Sequence, residues 1–278
     1  MARSNARDLV HRARDNGGAV GAFNVILLEH AEALVLAAEQ IKLPIILQIS
    51  ENCVKYHGAL KPIAIASIAI AEAADVPVSI HLDHAEGEDL IRQALDLGFD
   101  SIMFDGSKLE YQENVRASTA IAHLCREYGA SLEVEIGEIG GKDGVHAKGA
   151  RTKPLEAKAF VQDTGADLLA VAVGTSHAML TRDSALDFDL IRDISKHVSQ
   201  PLVLHGSSGV SDEDLQRAVK AGMSKINIAT HLNNVFTSAI RNALAKDLQV
   251  VDPRKYLIPS RQLLSDEVSR LLKLLATP

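Results

Sequence analysis

Hydrophobic and polar positions along this chain alternate between two regimes. Short runs that are apolar throughout, or apolar at every second residue, predict strands; longer stretches with apolar residues three and four apart predict helices. Ser4-Asn5 caps a leading helix through about Asp15, and Gly17-Gly18 ends it. Strands are then expected at Val20–Asn24, Ile45–Ser50, Pro77–Asp83, Ser101–Asp105, Ser131–Gly137, Asp167–Gly174, Pro201–His205 and Lys225–Ala229. Helices are expected at Glu29–Lys42, Pro62–Ala74, Gly87–Leu97, Gln112–Tyr128, Pro154–Thr164, Phe188–Val198, Ser211–Ala221 and His231–Lys246, with a last amphipathic helix at roughly Ser260–Leu275.

Strand–helix alternation of this kind implies a parallel sheet, and eight units is the number that closes a TIM (β/α)8 barrel. An open, doubly wound sheet is the competing α/β architecture, but no G-x-G-x-x-G follows the first strand. No Gly/Ser-rich or Pro-rich linker interrupts the series, so one barrel domain over residues 1–278 is expected. The segment from about 247 to 278 reads as an appendage suited to subunit contacts, which points to a homodimer or homotetramer.

A barrel strand sends alternate side chains to the lumen and to the outer helices. With Val78, Ile80 and Leu82 facing helices, Ser79, His81 and Asp83 face the lumen. The same logic turns Glu133 and Glu135 inward from the fifth strand, and Lys225, Asn227 and Ala229 from the eighth. Gln48, Ser50, Asp105 and His205 join them. These polar residues gather toward strand C-termini, the face that carries the active site in barrel enzymes. Buried polar groups cost roughly 1–3 kcal/mol each unless satisfied, and a bound cation is one way to satisfy several at once.

Composition narrows the partners. The 278 residues are 47% hydrophobic and 23% charged with a formal net charge of −7, which suits a folded protein without a nucleic-acid partner. Two distant cysteines, Cys53 and Cys125, match no metal-finger spacing and favour a reducing, cytoplasmic setting. Met1–Asp15 is charged, unlike a signal peptide, and no apolar stretch is long enough to span a membrane.

Against that background His81-Leu82-Asp83-His84 carries chemistry, a carboxylate beside an imidazole at a strand end. Among the eleven histidines, His84, His177 and His205 each fall at or just after the third, sixth and seventh strands. Three imidazoles with an open position is a recurrent arrangement for catalytic zinc. His231 also follows a strand and is a rival ligand, whereas His11, His30 and His123 fall within helices. His205-Gly206-Ser207-Ser208-Gly209-Val210-Ser211 and Asn227-Ile228-Ala229-Thr230 follow strands seven and eight, where barrels commonly bind phosphate through backbone N–H groups.

These motifs, with Glu133-Val134-Glu135-Ile136-Gly137 and Gly174-Thr175-Ser176-His177, resemble those of the class II, metal-dependent ketose-bisphosphate aldolases, and within them the tagatose-bisphosphate branch. The resemblance runs from about Ala22 to Arg254. It implies that Asp83 handles the substrate proton and that His84, His177 and His205 hold Zn2+, with Asp105 and Glu135 at a second or alternative metal position. It further implies glycerone phosphate binding by Gly206, Ser207, Ser208, Asn227, Ile228, Ala229 and Thr230, a nearby Na+ or K+, and a phosphate contact from Arg254. Asn24, Ser50 and Ala178 complete the expected substrate contacts. Ala178 stands where the family has glycine, and Ala229 agrees with the tagatose branch. Lys142-Asp143 occupies a shortened version of the family's mobile loop, which makes Asp143 the candidate second acid/base.

The activity so implied is reversible aldol cleavage of a fructose- or tagatose-type ketose 1,6-bisphosphate to glycerone phosphate and glyceraldehyde 3-phosphate. Alternatives from the same residues are an aldolase for another phosphosugar such as a deoxyketogluconate phosphate, and a metal-dependent sugar-phosphate epimerase. A Schiff-base aldolase needs a lumenal lysine, for which Lys225 is the candidate, and a non-catalytic phosphosugar-binding barrel is a further reading.

Overall fold

Eight parallel strands close on themselves in chain order, β1 pairing with both β2 and β8, in a computed structural model that describes residues 3–136, 151–176, 179, 181–182 and 184–276. The strands are β1 (Val20–Asn24), β2 (Ile45–Ser50), β3 (Val78–Ala85), β4 (Ser101–Phe104), β5 (Ser131–Ile136), β6 (Leu168–Val171), β7 (Leu202–Leu204) and β8 (Met223–Ile228). This is the TIM-barrel architecture expected from the alternation. Its inside–outside pattern is visible in β2, where Ile45, Leu47 and Ile49 pack with the outer helices while Ile46 joins a separate apolar cluster. That second cluster also holds Val20, Ala22, Leu168, Ala170 and Val203, together with Ala6, Leu9 and Val10 of the leading helix α1 (Ala6–Asp15). The amphipathic α1 therefore plugs the N-terminal mouth of the barrel. Asn5 caps it by accepting from the Arg7 N–H, and Arg3 ties it to the barrel wall through Asp100.

The charged, imidazole and amide side chains of the lumen gather toward the opposite end. Gln48, His81, Glu133 and Lys225 lie above the plug with no exposed surface, and Asp83, Glu135, His205 and Asn227 are buried nearer the C-terminal mouth.

Three local features depart from the sequence reading. A seven-residue helix, α3 (Glu51–His57), follows β2 and α2 (Leu28–Ile41), where a loop was expected. Ser50 ends the strand and caps this helix through the Cys53 N–H at 3.1 Å, and Gly58 closes it with φ of 74°. Strand β8 begins two residues before Lys225. The last helix, α11 (Arg254–Ala276), starts before Pro259 rather than after it. A proline this close to the start frees little beyond the carbonyl four residues earlier, and Lys255 is exposed to water.

Helix α11 packs on α2 and on α10 (Thr230–Lys246) through Leu264, Val268, Leu271, Leu272 and Leu275, and its end reaches β1, where the Ala19 N–H donates to Leu275 O at 2.9 Å. No described helix is long and apolar enough to cross a membrane.

Candidate active site

The cleft at the C-terminal mouth, about 170 Å³, is lined by Asn24, Gln48, Ser50, Asn52, Asp83, His84, Gly206, Ser208, Asn227, Ala229 and Thr230. Residues from β1, β2, β3 and the loops after β7 and β8 thus meet in one concave space. The expected site residues His177, Ala178 and Asp143 lie outside the described residues. Asn52, on the first turn of α3, is a lining residue that the sequence reading missed, because it looked like part of a featureless loop.

Adjacent residues on a regular strand point to opposite faces, yet Asp83 and His84 both line this cleft. The backbone resolves the conflict. The β3–β4 register advances from Leu82↔Ile102 to Ala85↔Phe104, so one extra residue is accommodated on β3. His84 has φ of 53°, a left-handed conformation that re-aims its side chain as a β-bulge does.

Asp83 is held by a chain of amides. Gln48 Nε2 donates to Asn24 Oδ1 at 3.2 Å, and Asn24 Nδ2 donates to Asp83 Oδ2 at 3.0 Å. The other oxygen, Oδ1, has no hydrogen-bond partner among the described residues and lies 3.9 Å from His84 Nε2. Burial works against the charged form of Asp83, but His84, His205, Lys225 and the Asn24 bond outweigh it and hold the carboxyl below the ordinary aspartate value. A carboxylate with one oxygen anchored and one facing the cleft is equipped to accept a proton from a bound ligand.

His84 Nδ1 lies 2.8 Å from Asp105 Oδ2, while Asp105 Oδ1 accepts from Ser107 Oγ at 2.6 Å and from the Ser107 N–H at 3.2 Å. With Nδ1–H donating to Asp105, His84 presents Nε2. On the other side, His205 Nε2 faces Glu133 Oε1 at 2.9 Å, and its Nδ1 lies 3.8 Å from Glu135 Oε2. The two rings stand edge to face with centroids 4.8 Å apart. One donor atom each from His84, Glu135 and His205 come within 4.8 Å of one another. Two imidazoles whose far nitrogens are fixed by carboxylates, beside a third carboxylate, form a nitrogen/oxygen donor set suited to a divalent cation such as zinc. Asp105 stands behind His84 rather than within this trio.

His81, deeper in the lumen, has Nδ1 2.8 Å from Ser101 Oγ; burial and then Lys225 keep its imidazole well below the ordinary histidine value. Lys225 Nζ donates to Glu133 Oε2 at 2.7 Å, and Lys225 does not line the cleft.

The loops after β7 and β8 shape the opposite wall. Gly206 has φ of 66°, and a Cβ there would come 2.7 Å from Ser176 O. That close approach seats the short 3-10 turn Ser207–Gly209 against the loop after β6. Ser208 Oγ accepts from the Ala229 N–H at 3.3 Å and joins the two loops at the start of α10. Ser207 is buried with Oγ donating to Leu204 O at 3.0 Å, and Ile228 belongs to the apolar core. Arg254 is highly exposed, bonded to Asp252 at 2.7 Å, and is not among the lining residues.

Known proteins share this architecture. The YdjI aldolase from Escherichia coli K12 is 28% identical, with 98% of this chain and 97% of that one covered at a TM-score of 0.85. A provisionally described fructose-1,6-biphosphate aldolase from Coccidioides immitis is 27% identical, with 98% and 96% covered at 0.86. Fructose-bisphosphate aldolase from Campylobacter jejuni, 22% identical with 99% and 95% covered at 0.82, shares the fold. The model of the family described as fructose-bisphosphate aldolase class-II matches residues 4–277. The chain therefore belongs to the class II fructose-bisphosphate aldolases, a family of carbon–carbon lyases.

Proposed function

We propose that this aldolase cleaves a ketose 1,6-bisphosphate of the fructose or tagatose type, reversibly, to glycerone phosphate and glyceraldehyde 3-phosphate, and that it depends on a divalent metal. The observation that carries the reading is a single cleft in which Asp83 and His84 face the loops Gly206–Ser208 and Ala229–Thr230. A base, a metal-ligand candidate and two phosphate-type loops converge on one ligand-sized space.

His84, His205 and Glu135 would hold the cation, joined by His177 as the resemblance implies. When bound, such an ion supplies Lewis-acid withdrawal of charge from a ketose oxygen, worth several kcal/mol in the transition state. Asp83 accepts the proton of the C4 hydroxyl through Oδ1 as the C3–C4 bond breaks. The Gln48–Asn24 relay keeps Oδ2 engaged, so the carboxylate does not swing away from the reacting hydroxyl. Asn227 offers an amide to the enediolate left on the glycerone phosphate half. Backbone N–H groups around Gly206–Ser208 and at the start of α10 offer donors and a favourable helix end to its phosphate. The protonation of the enediolate needs a second acid, and Asp143 is the proposed source.

The Schiff-base alternative loses support because its candidate, Lys225, is committed to Glu133 beneath the cleft. Assembly as a homodimer or homotetramer and a cytoplasmic setting belong to the same proposal, the latter in keeping with two buried free cysteines.

The test is triose release from fructose-, tagatose- and deoxyketogluconate-type phosphates, with and without a chelator. Chelator-sensitive release of glycerone phosphate from one of the two ketose bisphosphates is expected. Interconversion of ketoses without triose would make the protein an epimerase, and undiminished cleavage after metal removal would end the metal reading.

A further inference from the structure

Beneath the cleft, Lys225 of β8, Glu133 of β5 and the ring of His205 after β7 form a line with no exposed side-chain surface. Lys225 Nζ donates to Glu133 Oε2 at 2.7 Å, and Glu133 Oε1 lies 2.9 Å from His205 Nε2. A buried ammonium–carboxylate pair is a poor device for stability, since apolar residues of similar volume often do as well or better. The pair is better explained by what it does to the ring.

A carboxylate whose charge is matched by an ammonium ion can only accept hydrogen bonds. The proton in the 2.9 Å contact therefore sits on His205 Nε2. A neutral ring protonated there carries its lone pair on Nδ1, the nitrogen that faces Glu135 and the ring of His84. Asn227 Nδ2 lies 3.2 Å from the same Nε2. Two N–H donors cannot bond each other, so with Nε2 protonated the Asn227 amide turns its Oδ1, which has no hydrogen-bond partner among the described residues, toward the ring.

We propose that Lys225 and Glu133 are a positioning pair that fixes the tautomer of His205, so that Nδ1 is presented as a metal ligand. The lysine acts at one remove. It keeps the carboxylate an obligatory acceptor, and the carboxylate sets the ring. The proposal rests on the metal reading above, but the tautomer itself is a property of the metal-free protein.

Glu133→Gln exposes the logic. The amide has one accepting oxygen and one donating NH2, and Lys225 can only donate. With the oxygen turned to Lys225, the NH2 faces His205 Nε2 and drives the proton to Nδ1, onto the ligand position. In the double variant Glu133→Gln/Lys225→Met the amide is free to turn its oxygen to Nε2 and restore the working tautomer. Zinc affinity of the metal-stripped protein, measured by chelator competition with cobalt(II) absorption reporting the coordination, should fall about 10–100-fold in the single variant. It should largely recover in the double variant. A merely structural pair predicts that the double variant is no better than the single one, and that result would overturn the proposal, as would wild-type affinity in Glu133→Gln.

Should either variant fail to fold, long-range 1H–15N NMR of the histidine-labelled, metal-free wild type decides the matter. A proton on His205 Nε2 is expected, and one on Nδ1 refutes the assignment. If the wild type shows the Nε2 proton yet takes up no zinc, the metal reading fails while the tautomer assignment stands.

Discussion

Replacing Asp83 by asparagine isolates the proposed base from everything else the cleft does. The amide oxygen of the variant can take the Oδ2 position and accept from Asn24 Nδ2, now at 3.0 Å, leaving the Gln48–Asn24 relay intact. Its NH2 then takes the position of Oδ1, a buried atom with no hydrogen-bond partner among the described residues. The oxygen it replaces is already without a described partner, so stability should fall by no more than about 1–3 kcal/mol, the cost of one unsatisfied buried polar group. Catalysis should not be spared. Loss of a positioned general base typically lowers a rate 10²–10⁴-fold, about 3–5 kcal/mol of barrier. The assay is kcat and KM for triose release beside a metal determination on the same preparation. Full metal content, a KM within a few-fold and a kcat reduced by at least a hundredfold are expected. A variant that keeps its metal and turns over within tenfold of wild type would show that Asp83 is not the base.

Other perturbations test the supports of the site. Asp105→Asn leaves one accepting oxygen; with that oxygen kept by the Ser107 Oγ and N–H, the NH2 faces His84 Nδ1, drives its proton to Nε2 and should weaken metal affinity about 10–100-fold by equilibrium dialysis while leaving the fold intact. Unchanged affinity would remove Asp105 from the account. Gly206→Ala puts a Cβ 2.7 Å from Ser176 O on a residue with φ of 66°. The conformation alone costs about 1–2 kcal/mol, so urea unfolding should show at least that loss, and none would mean the loops are not closely apposed. His30 is a pH prediction. Burial pushes its imidazole down to about 4, against an opposing pull from Glu29, while the ring accepts from the Leu27 N–H at 3.0 Å. Because the folded value lies below the unfolded one, the unfolded chain binds the proton first. Stability is then complete above about pH 6.5 and falls by about 3 kcal/mol as pH drops through about 4. His30→Gln should lack that limb in urea titrations across the same range; an identical acid limb would place the sensitivity elsewhere.

The barrel was legible because its signal is local. Each strand writes its inside and outside into alternate residues, as Ile45, Leu47 and Ile49 against Ile46 and Gln48 show. Candidate chemistry was legible for a related reason, since inward polar residues at strand ends stand out from an aliphatic background. Partnerships were not. Glu133 and Lys225 are 92 residues apart, and the alternation says only that both face inward. Nothing local reveals that they share a hydrogen bond, or that Asp105 stands behind His84. The bulge at His84 was equally hidden, because no glycine marks the left-handed backbone there. The helix α3 escaped because seven residues are too few to show a period, although Ser50 and Gly58 punctuate its ends. Arg254 differs in kind: a motif match assigns it to the substrate phosphate, while in this structure its side chain pairs with Asp252 and does not line the cleft.

The central claim is that the cleft stabilises an enediolate of glycerone phosphate with the help of a metal at His84, His205 and Glu135. Solvent deuterium exchange into glycerone phosphate tests it without requiring knowledge of the aldehyde partner. Followed by NMR with no aldehyde present, the zinc-loaded protein should label one carbon-bound hydrogen of the hydroxymethyl carbon, and the metal-stripped protein should not. Exchange at the same rate with and without the metal would contradict the account.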